Sequence, residues 1–134
     1  MNNYFKRGIC IAVCCTIILL TCSGCASLLK EYHPDICIPL EDCVGEIVIK
    51  EWVLLLTSGA EIYYRVGFIE LELGKLDCGN DGDCPFKDGR YSVTANGNQV
   101  TIKWDFYARH TDNEKLWETE TFEIPEFKDW WKYL

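Results

Sequence analysis

The sequence predicts an all-β fold, a small antiparallel meander closed as a barrel or layered as a sandwich, behind an N-terminal signal segment. Three observations predict it. Beyond residue 44 apolar and polar residues alternate with period two, and β-branched and aromatic residues crowd the alternating runs. Short clusters of Gly, Asn, Ser and Thr punctuate those runs where a chain reverses. No stretch there sustains a helical period, although "PEFKDWWKYL" at the C-terminus suits a single helical turn.

The first element is the signal. Lys6 and Arg7 precede residues 9–20, an apolar run without a charge, and small residues follow. A positive start, a short apolar stretch and a small-residue end describe an export signal. Residues 8–26 also just reach the length of about 20 that a bilayer crossing needs, so an uncleaved anchor is the competing reading.

Within "LLTCSGCASL", the stretch Cys22-Ser23-Gly24-Cys25 resembles the lipobox of bacterial lipoproteins. Ser23 and Gly24 match that family's pattern, whereas Cys22 stands where the family most often has Leu. The resemblance implies removal of 1–24, lipidation of Cys25 and a lipid-anchored place in the cell envelope. Ala26, in place of a retaining Asp, implies the outer membrane if the cell is Gram-negative. A cut after Ala26 by an ordinary signal peptidase, giving a secreted protein, is the other reading.

Of nine cysteines, four (Cys10, Cys14, Cys15, Cys22) fall in the signal, leaving Cys25, Cys37, Cys43, Cys78 and Cys84. An odd cysteine in an exported chain needs an explanation, and lipid on Cys25 supplies one. The other four are expected to pair as disulfides. Cys37 to Cys43 and Cys78 to Cys84 each enclose five residues, which suits two local loops; a 37–84 and 43–78 ladder is the alternative. Zinc on these four cysteines is disfavoured, since structural sites space paired ligands more closely. Residues 25–43 are then lipid site, tether ("KEYHPDI", 30–36) and first disulfide loop, and 44–134 the β domain with an aromatic tail.

The strands follow in order. "EIVIKEWVLLL" (46–56) is one, with Thr57-Ser58-Gly59 as its turn. "EIYYRVGFIELEL" (61–73) places Ile62, Tyr64, Val66 and Phe68 on one face, and its phase slips at Gly67-Phe68, the mark of a bulge or bend. "RYSVTANGNQVTIKWDFYA" (90–108) is a hairpin about Asn96-Gly97, and "KLWETETFEI" (115–124) the last strand.

With the signal removed, 11 basic residues face 21 acidic ones, a net charge of −10. An acidic exported domain is repelled by nucleic acid and anionic headgroups, so a macromolecular partner is expected to be a cationic protein. No paired-histidine motif, Gly-rich phosphate loop or nucleophile elbow is present, and the expectation is a chain without catalysis or cofactor. His110, between Arg109 and a loop, reads as a loop residue rather than a base. Asp77, Asp81, Asp83 and Asp88 offer hard oxygen ligands for calcium, against the plainer reading of a solvated disulfide turn. Trp130, Trp131 and Tyr133 either pack back onto the domain or present a binding surface. A protein-binding module of inhibitor, immunity or exclusion type is the favoured expectation. A carrier of a small apolar ligand and a structural envelope lipoprotein are the alternatives.

Overall fold

Eight strands in two antiparallel sheets form the domain in the computed structural model, which describes residues 29–41, 43–80, 82–106, 113 and 117–133. The signal segment and Cys25 lie outside the described residues. The larger sheet contains β1 (Glu31–Tyr32), β2 (Ile36–Pro39), β3 (Glu46–Leu54), β4 (Thr57–Val66) and β5 (Ile69–Asn80). The smaller contains β6 (Tyr91–Asn96), β7 (Gln99–Trp104) and β8 (Glu118–Glu123), and a 3-10 helix follows at Phe127–Lys132. Among the described residues the sheets stay separate and close no barrel, so the sandwich or meander form of the expected fold is the one that fits.

The strands differ from expectation in ways that have physical causes. Residues 30–36 were expected as a tether, yet β1 and β2 run along the free edge of β3, pairing Tyr32 with Trp52 and Cys37 with Val48. The compact unit that holds the sheets accordingly starts at Glu31. The β3–β4 turn falls at Leu55 and Leu56, not at Thr57-Ser58-Gly59, and Leu55 takes a left-handed φ of 54°. Gly59 has another task. A Cβ there would come within 2.6 Å of the Trp52 ring and 2.8 Å of the Leu76 carbonyl oxygen, so its absence lets the strand lie flush.

Gly67 and Phe68 form the β4–β5 turn rather than a bulge, and the fully exposed Phe68 leaves the face on which it was expected. The irregularities lie instead in β5, where Leu73 and Cys78 are the unpaired extra residues between registered neighbours. The β6–β7 turn comes one residue later than expected, at Gly97 and Asn98, because Asn96 still pairs with Gln99.

Period-two alternation decides which side chains meet. On the inner face of the larger sheet Ile47 lies opposite Tyr64, Ile49 opposite Ile62, and Glu51 opposite Ala60. Val100, Ile102 and Trp104 of β7 complete the core with Phe86. The Trp104 indole N–H donates to the Asp77 carbonyl at 3.0 Å, joining the sheets. Phe122 occupies the space over Gly74 where a Cβ would sit 2.6 Å from its ring.

The outer face is polar. Arg65 bridges Glu46 and Glu70, and Lys50 pairs with Glu70 while lying 4.6 Å from the Tyr63 ring centre. The Tyr63 hydroxyl donates to Glu61 at 3.2 Å. Burial first, and then the Glu61 charge, push the Tyr63 phenol up to about 12.

Two outcomes are expected. Phe86→Ala removes the largest fully buried side chain among the described residues and lowers unfolding stability by about 3–5 kcal/mol in denaturant titration. An ordinary tyrosine loses its proton near pH 10 in the unfolded chain, whereas Tyr63 keeps it to about 12. Its contribution to stability is thus present below about pH 10 and is lost as the pH rises towards 12. Absorbance titration shows a late phenolate step that Tyr63→Phe removes.

Candidate functional site

At one end of the larger sheet an apolar groove of about 500 Å³ is lined by Val44, Tyr64, Val66, Ile69, Phe127 and Trp130, with Ile124 and Pro125 at its base. It exists because the aromatic tail folds back. Pro125 ends the extended chain, and the 3-10 helix turns Trp130 against Tyr64, ring centres 6.3 Å apart and nearly perpendicular. The Trp130 indole N–H donates to the Pro125 carbonyl at 3.0 Å, and the Tyr64 hydroxyl donates to the Val44 carbonyl at 2.7 Å. Tyr64 and Trp130 thus spend their polar atoms on backbone and turn apolar faces to the groove. Val44, at 84% exposure, and Phe127, at 80%, stand on its rim.

The aromatic residues of the tail divide between the domain and its surface. Trp130 packs onto the domain, whereas Trp131 and Tyr133 face outward.

At the polar end, Glu51 is the side chain that sequence reasoning missed. It continues the phase of Ile47 and Ile49 and so enters the core face, only 1% exposed. The signal was present in the alternation itself, an acid at an apolar position of the central strand. Its two carboxylate oxygens accept the backbone N–H groups of Phe86 at 3.0 Å and Lys87 at 2.9 Å. Burial nevertheless raises its pKa, with the two amides acting in the opposite direction. His33 hangs from the same strand, its N–H bonded to the Glu51 carbonyl at 2.9 Å. The His33 Nε2 lies 3.3 Å from the Cys84 Sγ, and donor atoms of His33, Glu51 and Cys84 all fall within 4.8 Å of one another. His33 and Glu51 line a cleft of about 420 Å³ with Phe86, Lys87 and Tyr91.

The four cysteines expected as disulfides are free thiols in the structure. Cys37 and Cys43 point to different partners. Cys37 Sγ accepts from the Arg65 guanidinium at 2.9 Å, while Cys43 Sγ donates to the Gly97 carbonyl at 3.6 Å. Cys84 faces His33 and the Gly82 carbonyl, and Cys78 is fully buried. Burial and then Glu51 push the Cys84 thiol up to about 11, and burial raises Cys78 further. Burial of this kind favours the thiol over the thiolate.

The expected calcium ligands do not gather into an oxygen cage among the described residues. Asp83 and Asp88 both turn to the Arg90 guanidinium, which also reaches the buried Asp105 at 2.9 Å. Asp77 instead accepts the Gly79 N–H at 2.9 Å. Asp81 lies outside the described residues, as does His110. Arg90 thus supplies positive charge to Asp83, Asp88 and Asp105 together.

No protein-family model, curated protein or solved structure matches the chain.

Arg90 is the test of the acidic loop. Arg90→Ala leaves Asp105 buried at 1% exposure without its guanidinium, and thermodynamic stability is expected to fall by about 3–5 kcal/mol. Addition of calcium to the wild-type protein is expected to leave its melting temperature unchanged.

Proposed function

We propose that this chain is an envelope lipoprotein, anchored to a membrane through Cys25, whose acidic β domain binds a cationic protein through the groove at Trp130. The observation behind this reading is the position of the groove. The domain starts at β1, which pairs with Trp52 and Val53 near the end of β3, whereas Val44 precedes the start of that strand. Nine residues of strand, about 30 Å, separate the two ends. The groove and the first strand β1 thus lie at opposite ends of β3.

The groove suits protein recognition. Tyr64, Phe127 and Trp130 supply rigid aromatic surface, of the kind that dominates binding energy when an apolar side chain from a partner fills the space between. The net charge of −10 would speed association with a basic partner and discourage acidic ones. A role without catalysis is supported by Cys84, which is held protonated, and by Glu51, which is occupied in holding backbone.

One observation favours a second reading, a carrier of a small apolar ligand. The groove volume of about 500 Å³ lies within the range of ligand pockets. Between the sheets, however, Ile47, Ile49, Ile62, Leu71, Val100 and Ile102 are fully buried, so a ligand would be confined to the groove.

The test has two arms in cells that express the chain with its own N-terminus. Intact mass of the wild type and of Cys25→Ser reads lipidation, with acyl mass expected only in the former. A photo-crosslinking residue at Phe127 is expected to give one discrete adduct with a basic protein, lost when Trp130→Ala is added. Adducts with lipid alone would support the carrier, and no adduct at Phe127 would refute the binding role.

A further inference from the structure

We propose that His33, Glu51 and Cys84 form a binding site for one zinc-class divalent ion. Three separate segments supply the donors: the β1–β2 connection, the central strand β3 and the loop after β5. The set is one imidazole nitrogen, one carboxylate oxygen and one sulfur, their atoms within 4.8 Å of one another and the closest pair 3.3 Å apart. Ligands at about 2.0–2.3 Å in a tetrahedron stand roughly 3.3–3.7 Å from each other, so the donors need close by only about 1 Å.

Charge argues for the same occupant. Glu51 is a carboxylate on the apolar face of a sheet, and no described lysine or arginine ion-pairs with it. His33 is the basic side chain set against it, and burying a carboxylate with no more than an imidazole beside it is costly. A divalent ion that displaces the Cys84 proton to solvent would meet one thiolate and one carboxylate, and the buried site would become neutral. The Phe86 and Lys87 amides would then serve as outer contacts that aim the carboxylate, which keeps lone pairs beyond the two they use. Sulfur and imidazole together select against calcium and magnesium.

The cleft beside His33 and Glu51 gives an ion a way in and leaves room for a water as fourth ligand. Three protein ligands with one exchangeable position is the pattern of a zinc site that is not closed. Coordination at Cys84 would also withhold that sulfur from pairing with Cys78.

The test uses the full chain, purified reduced and metal-free, and titrated with cobalt(II) and then zinc. Expected are one tight ion per chain and a thiolate-to-cobalt charge-transfer band that Cys84→Ser abolishes. His33→Ala, on the cleft rim, is expected to weaken zinc binding by about 100-fold while circular dichroism shows the fold retained. Cys37→Ser is the control and should leave both readouts unchanged. A band that survives Cys84→Ser, or a zinc affinity indifferent to His33→Ala, would place the ion on other thiols and overturn the proposal. Absence of a stoichiometric tight ion would do the same.

Discussion

A single buried carboxylate organises one half of this domain. Glu51 occupies a position on β3 that alternation reserves for an apolar side chain, directly after Ile47 and Ile49. Placed there, it must find hydrogen bonds, and the loop that begins at Cys84 supplies them through the Phe86 and Lys87 amides. That demand draws Phe86 into the core and brings Cys84 to His33. The loop closes on itself as Asp88, Gly89 and Arg90 bond back to Cys84, Phe86 and Pro85. Arg90 can then reach both Asp83 and Asp105. An apolar residue at position 51 would satisfy the sheet equally well and would leave this loop without its anchor.

The other half depends on apolar complementarity. The tail wraps over Tyr64 because Trp130 offers a large flat face and can spend its one donor on the Pro125 carbonyl. The groove is what remains between the packed Trp130 and the exposed Val44 and Phe127. Polar and apolar ends thus lie at opposite ends of β3, so the domain has two chemically distinct ends.

Much of the sheet was legible because a half-buried strand writes its face into alternate residues. β3 and β7 could be read directly, with Ile47 and Ile102 on the inner side. β4 and β5 instead read as one strand, 61–73, because both halves alternate on either side of the turn at Gly67 and Phe68. Turns were harder, since one residue type answers several demands. Gly59 reads as turn chemistry, yet its lack of a Cβ serves close packing under Trp52, and two leucines make the turn instead. The edge strands β1 and β2 were hidden because short segments beside a histidine and prolines carry little periodicity. The His33, Glu51 and Cys84 cluster was the least legible. His33 and Cys84 are 51 residues apart, and only the pairing of β1 with β3 and the demand of Glu51 bring them together. Acids in the 77–88 loop looked like an ion site because the position of Arg90 relative to them is a tertiary fact.

The most direct measurement is amide hydrogen exchange at Phe86 and Lys87 in the wild type and in Glu51→Ala. The structure has these two N–H groups bound to the Glu51 carboxylate, one of them in a buried place. Loss of protection at both amides, with the β3–β4 pairing still protected, is the predicted result. Equal protection in the two proteins would mean that the loop is held by something other than Glu51, and the account of the polar end would be wrong.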